Sequence, residues 1–278
     1  MENENSEIEN MPKSENKKYL SIGLSFGMLG IELLAALIFA PLVYFLPKYV
    51  GEEASQLIYY VLISSTALYI LYSIRKKRSS EKSFSVSFSY MYAIPFIILG
   101  GWVLIFGATD PLSDLIPVPE FLKDQFEKVE VYSGIATLFM MVIAAPIFEE
   151  LVYRGIILDG LLKRYSPFTA ILVSSLLFGL VHLNPWQFIP GFIIGLFAGW
   201  IYYRTRNLTL TMILHATINL VGYFQIVYKD VLGKYETVVE LYGGLKQYFL
   251  VIIVCTTLFV VCVLCLRKIF NKPLNLRK

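Results

Sequence analysis

Long apolar runs separated by short polar segments dominate the chain from residue 20 onward. Each run approaches the roughly 20 residues that an α-helix needs to cross a bilayer. The pattern predicts an all-α protein with about eight transmembrane helices. The predicted spans are 20–46, 56–74, 90–107, a fourth beginning near 132, a fifth from the turn at 163–167 to 182, then 188–203, 208–227 and 248–265.

Residues 1–18 lack this pattern and are rich in Glu, Asn and Ser, which predicts a disordered cytoplasmic tail. Residues 19–278 are predicted to form one transmembrane helical domain, without a repeat of fixed period. With eight crossings and an inner N-terminus, 18 of the 24 Lys and Arg residues fall on the inner side, with Arg154 of the fourth span counted among them. Because cytoplasmic segments are enriched in basic residues, we expect both termini in the cytoplasm.

Composition supports this class of protein. Hydrophobic residues make up 56% of the chain and charged residues only 16%, against about a quarter charged in soluble domains. The chain is therefore predicted to be a multi-pass integral membrane protein, with lipid among its partners. A net charge of +3 is too small to indicate nucleic acid as a partner. The sequence assigns no oligomeric state.

Three charged residues lie inside the fourth span, where an ionised side chain usually marks function because its burial in hydrocarbon is costly. Glu150 and Arg154 are four residues apart, so they share a helix face and are expected to pair. Glu149 points about 100° away from Glu150 and lacks that partner. A further carboxylate, Glu32, lies in the first span and is interpreted as a snorkelling or paired side chain.

The chain has two histidines, His182 and His215, and both fall in predicted spans. Each has a companion four residues away, Phe178 before His182 and Asn219 after His215, so each pair is placed on one helix face. A glutamate can take a proton from water while a histidine orients that water or binds a metal. A second histidine and an amide can donate hydrogen bonds to an oxyanion. Together with Glu149 these residues indicate a hydrolytic site.

These residues carry a resemblance to a known family. Glu149-Glu150-x-x-x-Arg154, Phe178-x-x-x-His182 and His215-x-x-x-Asn219, in that order on consecutive spans, resemble the three motifs of the CPBP family. This family contains the CAAX proteases and bacteriocin-processing enzymes, is also called Abi, and includes the type II CAAX prenyl endopeptidases. The matching core covers about residues 130–225.

The resemblance implies an intramembrane endopeptidase that cuts a peptide or lipidated protein near the cytoplasmic face. Glu149 would activate water beside His182, and His215 with Asn219 would line the oxyanion pocket. Glu150 and Arg154 would hold the fourth helix in place.

The family is commonly called a metalloprotease, although a metal-free glutamate mechanism has also been argued for it, and the sequence leaves both open. If zinc is bound, Glu149, His182 and His215 are the expected ligands, with one position left for water. Prenylation of the substrate is also left open.

Two alternatives remain at this stage. A non-catalytic bacteriocin-immunity or peptide-binding membrane protein could use the same cavity, and it would tolerate the loss of Glu149. An ion-coupled transporter could also place carboxylates and an arginine in the membrane. A transporter would be expected to show an inverted repeat with broken helices, and no such repeat is found in the sequence.

Overall fold

The computed structural model describes residues 20–79, 83–117, 119 and 132–271, and these residues form helices without a β-strand. The predicted all-α class is confirmed, whereas the predicted tail at 1–18 lies outside the described residues. Three four-residue helices, Pro47–Val50, Lys229–Leu232 and Val238–Leu241, lie in the connections. The eight long helices are α1 (Ile22–Phe45), α2 (Glu52–Arg78), α3 (Met91–Asp114), α4 (Ile135–Leu162), α5 (Pro167–Leu180), α6 (Pro185–Thr205), α7 (Leu208–Val227) and α8 (Leu245–Phe270).

Six of these helices, α1 to α4, α7 and α8, are long and apolar enough to cross a membrane. Helix α5 has only 14 residues, and α6 has 21 residues but contains Pro190 and several glycines among its apolar side chains. The eight long helices agree roughly with the eight predicted spans. The chain is therefore a multi-pass integral membrane protein.

Several helices extend beyond the apolar spans predicted for them, and α2 and α3 are two examples. Helix α2 continues from the predicted end at Ile74 through the basic cluster to Arg78. Lys and Arg are good helix formers, and cations in a last turn interact favourably with the helix dipole. Helix α3 continues past Gly107 to Asp114 through a π-helical segment, Ile105–Thr109.

The predicted position of His182 inside the fifth span was also wrong. Helix α5 ends at Leu180, and His182 lies in the turn before α6. Leu183 has a left-handed backbone with φ of 57°, and Asn184 is extended with φ of −140°. Proline disfavours helical backbone in the residue before it, so Pro185 stops the helix early. Asn184 instead caps α6, its side chain accepting a hydrogen bond from the Gln187 amide at 2.8 Å.

Helix α4 is the central helix of the bundle. It contains two π-helical segments, Met140–Ala144 and Leu151–Leu158, on either side of the glutamate pair. All but the first residue of the second segment are buried. Charged side chains on this helix therefore need partners inside the protein.

Helices α5 and α6 approach each other closely because small residues line their contact. A Cβ added to Gly179 would lie 2.9 Å from a ring carbon of Phe188, and one added to Gly195 would lie 3.1 Å from the Cα of Ser175. Such small-residue contacts allow helix backbones to pack closely in membranes. The packing brings the Gly195 carbonyl of α6 within reach of Arg154 on α4.

Candidate active site

Glu150 and Arg154 form the predicted ion pair. Arg154 Nη1 donates to Glu150 Oε1 at 2.7 Å, and both side chains are only 1% exposed. Arg154 Nη2 also donates to the carbonyl of Gly195 at 3.3 Å. His215 Nδ1 lies 3.1 Å from the same Glu150 oxygen. Glu150 is thus held between a guanidinium and an imidazole, and it ties α4 to α6 and α7.

Phe178 lies against the other groups of this cluster. The Arg154 guanidinium lies 4.5 Å from the centre of its ring. The rings of His182 and His215 each meet it edge to face, with centroids 5.5 Å away. Cations and ring edges are attracted to an aromatic face. Phe178 therefore positions one guanidinium and two imidazoles at once, which is more than its i,i+4 relation to His182 indicated.

Glu149 has a different environment from Glu150. Its Oε1 accepts a hydrogen bond from the Tyr60 hydroxyl of α2 at 2.9 Å. Its Oε2 lies 3.7 Å from His215 Nε2, and the side chain is 22% exposed. Among the described residues the structure records no Lys or Arg paired with it. The hydrogen bond from Tyr60 thus orients this carboxylate, and a small molecule such as water can still reach it.

Two cavities meet at this cluster. The first, about 190 Å³, has mostly apolar walls and is lined by Glu149 together with Tyr60, Glu32 and Tyr153. The second, about 390 Å³, is lined by four other predicted site residues, Phe178, His182, His215 and Asn219. His215 is the link between the two, because its Nε2 faces Glu149. The predicted catalytic residues thus line two cavities, with Glu149 in the first and His182, His215 and Asn219 in the second.

Asn219 and His182 both have polar atoms left for a ligand. The Asn219 amide donates to the Met141 carbonyl at 2.8 Å, and an amide NH2 group has a second donor. His182 Nδ1 lies 2.9 Å from the Phe178 carbonyl. A carbonyl oxygen only accepts, so Nδ1 must be the donor, and Nε2 of the neutral ring then carries the lone pair. The Asn219 amide can therefore donate a hydrogen bond to a substrate, and His182 Nε2 can accept one from water.

Three residues of this site were not predicted to belong to it. Tyr60 binds Glu149, and Tyr153 donates to Glu32 Oε2 at 2.8 Å, so Glu32 is paired with a hydroxyl. The only signal for Glu32 was its carboxylate inside an apolar run. No signal distinguished Tyr60 and Tyr153 from the other tyrosines, of which the chain has 19.

A zinc site would need at least three protein ligands around one ion. His182 Nδ1 and His215 Nδ1 each lie beside an oxygen, which is the usual way in which a metal-binding imidazole is oriented. However, the part of the chain that the structure describes contains no group of three His, Cys, Asp or Glu side chains placed to hold a metal ion. In this arrangement Glu149, His182 and His215 do not form a complete zinc site.

The fold and the cluster define a class of protein, a helical membrane protein with a shielded carboxylate and histidine site. A family model described as Rce1-like type II CAAX prenyl endopeptidase matches residues 132–221, which include every motif residue of the cluster. Over this region the chain is similar to the type II CAAX prenyl endopeptidases, which agrees with its resemblance to the CPBP family.

Curated relatives include a membrane-embedded protease and a putative membrane peptidase. The chain is 28% identical over 209 residues to the membrane-embedded CAAX protease MroQ of Staphylococcus aureus (strain USA300), covering 67% of this chain and 82% of that protein. It is 32% identical over 85 residues to UPF0177 protein YxdF of Lactococcus lactis, covering 30% of this chain and 46% of that protein. It is 31% identical over 77 residues to the putative membrane peptidase YdiL of Bacillus subtilis, covering 28% and 32%. The chain thus spans less than half the length of two of these relatives. No solved structure matches it.

Proposed function

We propose that this protein is an intramembrane endopeptidase that hydrolyses a peptide bond with water activated by a glutamate and a histidine. The observation that carries the proposal is the contrast between two adjacent carboxylates. Glu150 is enclosed by Arg154 and His215, whereas Glu149 is oriented by one tyrosine and faces a cavity. Only the second arrangement leaves a carboxylate able to accept a proton from water.

Each group has a role that follows from its atoms. Glu149 takes the proton from the attacking water, and the lone pair on His182 Nε2 orients that water. When the tetrahedral intermediate collapses and its C–N bond breaks, Glu149 gives this proton to the leaving amine nitrogen. The free donor of the Asn219 amide, with His215 beside it, stabilises the oxyanion that forms at the scissile carbonyl. Glu150, Arg154 and Phe178 position His215 and the helix that carries Glu149.

The proposed substrate is a peptide or lipidated protein that enters from the membrane. The mostly apolar walls of the first cavity suit a hydrophobic segment of such a substrate. The printed descriptions of two relatives, a CAAX protease and a putative membrane peptidase, support a peptide substrate. Whether the substrate is prenylated is a separate question that a cleavage assay with matched prenylated and unmodified peptides answers.

We also propose that both termini and the basic end of α2 face the cytoplasm, so that the cut is made near that face. Of the 24 Lys and Arg residues, 18 fall on the predicted cytoplasmic side, and this bias motivates the orientation. Cysteine labelling near Ser79 and near Ser113 should report opposite sides of the membrane. Labelling of both positions from outside would contradict the proposed topology.

The experiment for the reaction uses the purified protein in detergent with a library of quenched peptides. Wild type should cleave a subset of the library, and Glu149→Gln, which keeps the shape of the side chain, should cleave none of it. A non-catalytic immunity or peptide-binding protein would keep its biological function with Glu149→Gln. A wild type without cleavage and a functional Glu149→Gln variant would together reject the enzyme.

Zinc is tested separately, because His182 and His215 both have an Nε2 that could bind it. If the enzyme uses zinc, a chelator should abolish cleavage, added zinc should restore it, and elemental analysis should find the metal. Unchanged cleavage with a chelator, and no metal by elemental analysis, would remove the zinc prediction and leave the glutamate-activated water.

A further inference from the structure

A second cluster of charged side chains lies further along α4, at Asp159. This residue is ten positions beyond Glu149, or about 15 Å along a helix. Its Oδ1 accepts from Arg206 Nη1 at 2.9 Å, and its Oδ2 lies 3.0 Å from Lys163 Nζ and 3.7 Å from Arg75 Nη2. One carboxylate thus faces three cations. Asp159 therefore holds these three basic side chains together.

Arg75 is the most unusual member of this cluster. Its side chain is only 3% exposed, and its guanidinium lies 4.8 Å from the centre of the Phe84 ring. Nη2 donates to the Ser83 carbonyl at 3.0 Å, but Nε and Nη1 have no hydrogen-bond partner among the described residues. These two nitrogens carry three of the five N–H donors of a guanidinium. Buried charged donors without partners are costly, so a further acceptor for this guanidinium would stabilise it.

A cavity of about 530 Å³ adjoins this guanidinium. It is lined by Arg75, Ser83, Ser85, Asp159, Lys163, Tyr202 and Arg206. Arg206 has 46% of its side chain exposed, so the cavity is open to the surface at that side. None of these residues lines the two cavities at Glu149 and His182. The site is therefore separate from the candidate active site.

We propose that this cavity binds a phosphate group, carried by the headgroup of an anionic membrane lipid or present as free phosphate. Guanidinium groups bind phosphate through paired N–H donors, and two such groups line this cavity, the buried one of Arg75 and the exposed one of Arg206. Val86 and Phe88 follow Ser85 along the chain and are exposed, which provides apolar surface for acyl chains beside the cavity. The site does not depend on the proposed proteolysis.

The test measures thermal unfolding and direct binding of the full chain in non-ionic detergent. Wild type is titrated with inorganic phosphate, with phosphatidylglycerol and with diacylglycerol, which lacks phosphate. A ligand that binds only the folded state raises the melting temperature with its concentration. We expect phosphatidylglycerol to raise it and diacylglycerol to leave it unchanged. An equal rise with inorganic phosphate alone would support the phosphate site and assign its source to the free ion.

The variants locate the binding site. Arg206→Gln should weaken phosphatidylglycerol binding about tenfold, because one charge-assisted hydrogen bond is lost. The matched control is Arg204→Gln, which removes the same charge two residues away, where the guanidinium contacts Asn271 outside the cavity. The control should bind as wild type does. Arg75→Lys, which keeps the charge but loses the paired donors, is the second variant and should also weaken binding.

The proposal is wrong if wild type binds neither phosphatidylglycerol nor phosphate, a result that needs no variant. It is also wrong if Arg204→Gln weakens binding as much as Arg206→Gln does, because the effect would then be that of surface charge. Native mass spectrometry of wild type, counting bound lipid at each titration point, gives the binding measurement independently of the melting temperature.

Discussion

Glu149 and Glu150 are neighbours in the chain, yet they lie in opposite kinds of environment. Glu150 is 1% exposed, paired with Arg154 at 2.7 Å and close to His215 at 3.1 Å. Glu149 is 22% exposed, and its recorded contacts are the Tyr60 hydroxyl at 2.9 Å and His215 Nε2 at 3.7 Å. One step along a helix turns a side chain by about 100°, which is enough to separate a structural carboxylate from a reactive one.

The difference shows why a membrane enzyme would carry two adjacent glutamates. The buried ion pair fixes α4 against α6 and α7, and so fixes the direction in which Glu149 points. The arrangement separates stability from chemistry at consecutive positions. Substitutions at Glu150 or its partners should therefore change stability, whereas substitutions at Glu149 or its partners should change catalysis.

The largest expected effect on stability is at the Glu150 side. Arg154→Ala leaves the Glu150 carboxylate buried without its cation, which typically lowers the free energy of unfolding by about 3–5 kcal/mol. Arg164→Ala makes the same change at an exposed position near the end of the helix and should have little effect. Reversible unfolding in mixed micelles gives both values. Equal, small losses for the two variants would show that the Glu150–Arg154 pair does not stabilise the fold.

A smaller loss of stability is expected for a substitution of Tyr153, the tyrosine that donates to Glu32. Tyr153→Phe removes the hydroxyl that donates to Glu32 Oε2 at 2.8 Å. Because this hydrogen bond is partly buried, the free energy of unfolding should fall by about 1 kcal/mol. Cleavage per folded molecule should stay close to that of wild type. A normal stability with a strongly reduced specific activity would instead place Tyr153 in the chemistry.

The smallest effect on stability is expected for Tyr60→Phe, which changes the tyrosine that donates to Glu149. Tyr60→Phe removes the hydrogen bond that orients a partly exposed carboxylate, so unfolding should change little. The value of kcat/KM should fall about tenfold, equivalent to about 1.4 kcal/mol of transition-state stabilisation. Tyr153→Phe is its matched control, since both change one phenol to a phenyl ring. Similar effects of the two variants on activity would remove the distinction between the carboxylates.

Part of this structure could be predicted from the sequence, and the reasons for success and failure are physical. Apolar runs of membrane length defined the helices, and the i,i+4 spacing defined the Glu150–Arg154 pair, because both depend on local helix geometry. The helix end at Arg78 was missed because basic residues continue α2 beyond its apolar part, and the end at Asp114 was missed because α3 continues through a π-helical segment. His182 was placed in a helix because no sequence pattern marks the left-handed backbone of Leu183, whose φ is 57°.

The contacts between distant helices could not be predicted. Tyr60 and Glu149 are 89 positions apart, and their hydrogen bond depends on how α2 packs against α4. The division of the site into two cavities has the same origin, because Glu32, Tyr60 and Glu149 come from three different helices. No local pattern in the chain encodes these distances.

The most direct test of the account is the specific activity per folded molecule of Glu149→Gln and Glu150→Gln, each purified as monodisperse protein and assayed with the same cleaved peptide. Glu149→Gln should match wild type in yield and melting temperature and show no cleavage. Glu150→Gln should show lower yield and melting temperature, with residual cleavage by the molecules that fold. An active Glu149→Gln together with a well-folded, inactive Glu150→Gln would contradict the account and assign the base to the other glutamate.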